Sequence, residues 1–367
     1  MDLKEIFLRA LTDHASDIHL REGEGARYRL DGKLRMLDRA PVEREAVLDF
    51  FKAYLTREEL DQLEKRHEVD FSASVRGICR TRVNLYYQQG KICAAVRLIP
   101  ERIPTMDEIY LPRACREFTQ LTRGLVLVTG PTGCGKSTTL AAMIDAICGA
   151  RPVHILTIED PIEFVYPQKI GTVSQREVGR DTADHADALR YAFRQNPDVV
   201  MLGEMRDMES MAAAVTLAET GHLTFSTLHT LSAAQTIHRI VDAFPPHHQN
   251  QLRTQLAVTL EGIINQRLLP LHDRTGRVAA REVLVCNLAV KNLIRENKIS
   301  HIASVIQTGF EEGMISMTRS LAHLVERGLV SMETALGAAQ DKRELLEALG
   351  KTPPGHGNSL PRKPPPA

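Results

Sequence analysis

The sequence contains no tryptophan, and aromatic residues make up only 5% of its 367 positions. Its 46 basic and 46 acidic side chains cancel to a formal net charge of zero. Rings that move nucleic acid use a basic groove and stacking aromatics, so both scarcities argue against a DNA translocase and against direct nucleic-acid binding. No apolar run reaches 18 residues, and the opening MDLKEIFLRALTDHASD scatters charges through its apolar positions, unlike a signal peptide. These features predict a cytoplasmic protein. The six cysteines, at 79, 93, 115, 134, 148 and 286, form no CxxC pair, which argues against a disulfide framework and against a structural zinc site.

What is present is an ordinary globular composition, 43% hydrophobic and 25% charged, in a chain long enough for two domains. Residues 1–100 read as a small α+β unit. It opens with a helix carrying Leu3, Ile6, Phe7 and Ala10 at helical spacing. Short strands follow around DIHLR, ARYRLDGKLR, ICRTRVNLYYQ and ICAAVRLIP, with DG and QG as turn signals. A proline-bearing stretch, 101–122, reads as a linker. From there the pattern becomes α/β. LVLVTG, VHILTIED, DVVMLGE, HLTFSTLH and REVLVC are apolar strands separated by amphipathic helices, as in a largely parallel sheet. The second domain is expected over 123–348 with a helical C-terminal part, followed by a disordered Pro-rich tail over 349–367.

GPTGCGKS, from Gly130 to Ser137, fits the phosphate-binding pattern G-x-x-x-x-G-K-[ST] and has the right context, an apolar strand before it and a helix after it. Backbone N–H groups of Gly130, Pro131, Thr132, Gly133, Cys134, Gly135, Lys136, Ser137 and Thr138, proline excepted, are placed to wrap the phosphates of ATP at a helix N-terminus. Lys136 would neutralise the β/γ oxygens, and the Ser137 hydroxyl would bind Mg²⁺. Further groups should come from the C-terminal ends of neighbouring strands. Glu159, Asp160 and Glu163 follow VHILTI, Glu204 follows DVVML, and His229 follows LTFSTL. Either Glu163 or Glu204 can activate the attacking water, and Glu204 can hold Mg²⁺ through water. His229 can hydrogen-bond the γ-phosphate. His222, seven residues earlier, should lie roughly 20 Å away across the strand, so the two histidines do not share a metal.

GPTGCGKSTT, ILTIEDPIEF, PDVVMLGEMRD and AETGHLTFSTLHT resemble the Walker A, Asp, Walker B and His boxes of the type II/IV secretion ATPases. ASDIHL, RTRVNLYYQ and AAVRLIP resemble the first domain of that family, and within it the pilus-retraction branch is the nearest likeness. The absent tetracysteine insert, the short lead-in to ASDIHL, and NLIREN with ISHIASVIQTG favour that branch over assembly or secretion motors. Lys291 stands in AVKNLIRE where the branch usually has arginine. The resemblance implies a RecA-like P-loop ATPase domain preceded by a smaller PAS-like domain, with ATP and Mg²⁺ bound between them. It also implies that Arg80, Arg82 and Arg97 reach the triphosphate. Six copies would form a ring at the inner-membrane base of a pilus machine and drive retraction through a platform protein.

Overall fold

The computed structural model describes residues 2–13, 15–30, 32–75, 78–99, 102–273 and 276–351. The expected disordered tail beyond Lys351, Asp31 of the DG turn, and Glu101 at the start of the expected linker lie outside these residues. In chain order the described strands are β1 (Asp17–Arg21), β2 (Gly25–Leu30), β3 (Lys33–Pro41), β4 (Glu68–Val75), β5 (Cys79–Gln88), β6 (Lys91–Ile99), β7 (Gly124–Thr129), β8 (His154–Glu159), β9 (Thr172–Glu177), β10 (Val199–Leu202), β11 (Leu223–Leu228), β12 (Leu260–Pro270) and β13 (Arg277–Val285). The chain partitions into two compact units. The first comprises residues 1–109, 119–123 and 137–226, and the second comprises 110–118, 124–136 and 227–367.

In the first unit, β1 to β6 form an antiparallel sheet in the order β3-β2-β1-β6-β5-β4. The helix Leu3–Thr12 buries Leu3, Ile6, Phe7 and Ala10, the face its spacing predicts, and Asp2 caps it by accepting from the Lys4 N–H at 2.9 Å. Two helices not expected from the sequence, Arg44–Lys52 and Arg57–Arg66, follow β3. The first is tied into the core by an aromatic chain from Phe7 through Phe50 and Phe51 to Phe71, with successive centroids 5.3, 5.1 and 5.9 Å apart. The second is polar around most of its circumference and buries only Leu63, so a capping box between Thr56 and Glu59 supplies much of its definition.

The same unit contains parallel strands in the order β11-β10-β8-β9. All four residues of β10 and nearly all of β8 are buried, as near-continuous apolar runs require when a sheet is covered on both faces. The edge strand β9, TVSQRE, has no such run and was not expected. The parallel register places the ends of β8 and β10 beside one another, so the loops carrying Asp160 to Glu163 and Gly203 to Arg206 leave the sheet together.

In the second unit β7 pairs in parallel with β12, and β12 pairs antiparallel with β13. β12 was also not expected, because the helix Pro246–Thr259 passes directly into it at Leu260 with no turn residue between them. The helices Leu288–Arg295, Met317–Glu326 and Met332–Ala338 fall where their periodicity predicts. Leu321, Ala335 and Leu345 pack with Val278 and Ala280 of β13 in one buried cluster. Among the described residues no helix is long and apolar enough to cross a membrane.

Candidate functional site

The loop Gly130–Lys136 leaves the fully buried strand β7 and enters the helix Lys136–Ala150. Its glycines are required for different reasons. Gly133 has φ +76° with open space around it, so its need is conformational alone. A Cβ on Gly130, at φ +140°, would lie 2.3 Å from the Gln266 carbonyl oxygen and 2.7 Å from the Cys134 Sγ. Behind the loop, the Gln266 amide Nε2 donates to the Cys134 carbonyl at 2.8 Å. Cys134 is buried, and burial raises its thiol above the ordinary range, so it is a poor thiolate. All six cysteines are buried thiols.

Lys136 Nζ donates to the carbonyls of Gly130 at 2.9 Å and Pro131 at 3.2 Å, and lies 3.4 Å from His229 Nδ1. The structure therefore brings together two predicted site residues that are 93 positions apart. His229 is exposed where β11 ends. Its neighbour Thr230 is fixed by Asn265, whose Nδ2 donates both to the Thr230 carbonyl at 2.8 Å and to Thr129 Oγ1 at 2.9 Å. Asn265 and Gln266 were not foreseen, because they sit on β12. His222 lies at the other end of β11, where its N–H closes the helix Met208–Glu219 on the Leu217 carbonyl at 3.1 Å.

In the first unit, Ser137 and Thr138 are half-buried in the opening turn of their helix. Glu204 accepts from Arg206 Nε at 2.9 Å, and Arg206 also reaches Asp160 at 3.4 Å. The Glu204 hydrogen bond is the foremost cause that holds this guanidinium above its ordinary pKa. Gly203, where many P-loop enzymes carry an acid, has a steric reason: a Cβ there would stand 3.2 Å from the Ile158 carbonyl oxygen, against β8. Glu163 is exposed, whereas Glu159 is 8% exposed. Burial raises the Glu159 pKa, opposed by hydrogen bonds from Thr157, Gln175 and the Glu163 backbone. Glu159 thus acts on the backbone of Glu163, holding the turn that presents it.

The three predicted arginines have different partners. Arg80 donates to Glu177 Oε2 at 2.7 Å, a contact the sequence did not suggest. Arg97 pairs with Asp17 of its own sheet at 3.2 Å. Arg82 is exposed and stands directly across from Arg97 in the β5–β6 register, on the same face as Arg80. Two guanidinium groups directly opposite one another are unfavourable unless an anion is near, and the Asp17 carboxylate beside Arg97 supplies one. Lys291, where an arginine was the usual residue, makes a single ion pair with Glu261 at 3.0 Å.

Three comparisons place this geometry among known proteins. A family model described as "Type II/IV secretion system protein" matches residues 1–337. The "Type IV pilus retractation ATPase PilT" of Pseudomonas aeruginosa is 44% identical over 335 residues, 91% of this chain and 97% of that protein. A "Twitching motility protein" of Neisseria gonorrhoeae is 44% identical over 317 residues, 86% of this chain and 85% of its own length. The crystal structure of the pilus retraction motor PilT with bound ADP superposes with a TM-score of 0.86 at 44% identity, covering 95% of this chain and 99% of the other. The shared fold is α/β, a RecA-like P-loop ATPase preceded by a smaller PAS-like α+β part. The chain belongs to the type II/IV secretion system protein family.

Proposed function

We propose that the chain is an ATP-hydrolysing motor that powers type IV pilus retraction. Residues 1–100 form its PAS-like domain, 101–122 the connection, and 123–348 the motor domain. Six copies form a ring at the cytoplasmic side of the inner membrane, and ATP-driven domain rotation acts on a platform protein so that pilin leaves the fibre. The observation that carries the reading is the loop Gly130–Lys136, whose ammonium closes on its own carbonyls beside His229. It is supported by 44% identity to a retraction ATPase along nearly the whole of both chains.

On this reading the loop N–H groups cradle the phosphates and Lys136 spreads the charge of the β/γ oxygens. His229 bonds the γ-phosphate. Glu163 orients and deprotonates water, with Glu204 as the other candidate acid. Arg80, Arg82 and Arg97 bring positive charge from the N-terminal domain.

Among the described residues no group of three or more His, Cys, Asp or Glu is placed to hold a metal. One hydroxyl and one carboxylate fit Mg²⁺, which keeps several waters and is completed by substrate phosphates rather than by a protein cage. Ser137 and Glu204 would hold it, and when bound it neutralises the phosphate charge. Chelating Mg²⁺ should therefore slow ATP turnover by the purified full chain at least about a hundredfold, and Glu204→Gln should raise the half-saturating Mg²⁺ concentration roughly tenfold. Turnover indifferent to chelator would contradict the assignment.

A further inference from the structure

The end of β9 is built around Glu177, a carboxylate only 4% exposed. Its Oε2 accepts two hydrogen bonds, from Arg80 on β5 at 2.7 Å and from the backbone N–H of Ile162 at 3.1 Å. Ile162 is the residue before Glu163. Across the β8–β9 register Glu177 stands opposite Glu159, which receives the backbone N–H of Glu163 itself. Two buried carboxylates thus grip consecutive N–H groups of one turn. Only that of Glu177 is also joined to the N-terminal sheet.

The backbone around Glu177 is hydrogen-bonded through both its N–H and its carbonyl. Its own N–H donates to the Asp181 carboxylate at 2.8 Å, and its carbonyl accepts from the Asp181 N–H at 2.8 Å. The turn reaches the N-terminal sheet a second time, through Arg180 donating to the Ser72 carbonyl at 3.2 Å. Ser72 and Arg80 lie on the paired strands β4 and β5, so both contacts grip one edge of that sheet. A displacement of β5 that carries Arg80 must either break a short, part-buried, charge-assisted bond or drag Glu177 with it. Moving Glu177 moves the Ile162 N–H and, one residue on, Glu163.

We propose that Glu177 is a positioning residue for hydrolysis, relaying the placement of the N-terminal sheet from Arg80 to the backbone that carries Glu163. This rests on the reading of Glu163 as the water-activating group. The relay makes turnover respond to domain position without a change in the phosphate loop. It also gives Arg80 a task at the Asp box in addition to its charge.

Glu177→Gln preserves side-chain size and an acceptor for Ile162 while weakening the bond to Arg80. In the purified full chain it should lower kcat about tenfold or more and leave KM for ATP within about threefold, with a fall in Tm from the unpaired Arg80 that does not carry KM with it. A merely structural role would shift Tm and KM together. Combined with Arg80→Gln, the double variant should be no slower than the slower single variant, because both remove one link. Multiplying losses, or wild-type kcat for Glu177→Gln, would overturn the relay. Glu163→Gln is measured alongside. If it hydrolyses at the wild-type rate, the reading of the site fails and the relay with it. If Glu163→Gln is inactive while Glu177→Gln is normal, the relay alone fails.

Discussion

Lys136→Ala is expected to lose ATP turnover by about a thousandfold or more, because it removes a positive charge from the centre of charge development in phosphoryl transfer. The ammonium already sits where the loop folds around it, within hydrogen-bond distance of the Gly130 and Pro131 carbonyls and 3.4 Å from His229. The truncated loop should fold, since Gln266 still holds the Cys134 carbonyl from behind and the Gly130 N–H still donates to Leu228 at 3.3 Å. Thermal denaturation in the absence of nucleotide should therefore be close to wild type, while the stabilisation that ATP brings should shrink with its affinity. Phosphate release near the wild-type rate would remove the loop from the chemistry.

Glu163→Gln is expected to separate binding from chemistry. Glutamine keeps the shape and polarity of the exposed side chain but cannot accept a proton, so kcat should fall roughly a hundredfold to ten-thousandfold with ATP affinity within about threefold. The backbone of the turn should be undisturbed, because Glu159 and Glu177 grip the Glu163 and Ile162 N–H groups, not the substituted side chain. If turnover survives, Glu204 inherits the role. Its carboxylate is partly occupied by Arg206, so that outcome would further require the Arg206 bond to open or to share an oxygen.

The elements legible in the sequence are those whose signal is local. The amphipathic spacing of Leu3, Ile6, Phe7 and Ala10 predicts the buried face of the first helix, and the glycines of Gly130 to Gly135 predict the phosphate loop. Four of the five apolar strands of the motor part are equally plain, since a buried parallel strand must be apolar on both faces, whereas the fifth, β13, is an antiparallel edge strand with a partly exposed face. What was illegible depends on partners distant in sequence. β9 is a polar edge strand paired only with β8 in the described sheet, so it needs no apolar run. β12 lacks a boundary, following the helix that ends at Thr259 without a break. Missing these two strands hid Glu177, Asn265 and Gln266. Arg80 reads as one residue of an exposed strand face, and only a carboxylate 97 positions later explains why its side chain is 23% exposed.

The most direct test of the account is the behaviour of labelled pilus fibres in cells that lack this protein, followed by fluorescence microscopy, with the wild-type gene and the Lys136→Ala variant returned in turn. The account predicts fibres that extend but do not shorten, with shortening restored by the wild-type chain and not by the variant. Cells without fibres would show an assembly motor and contradict the proposed retraction function. Fibres that retract normally would show that this chain does not power retraction.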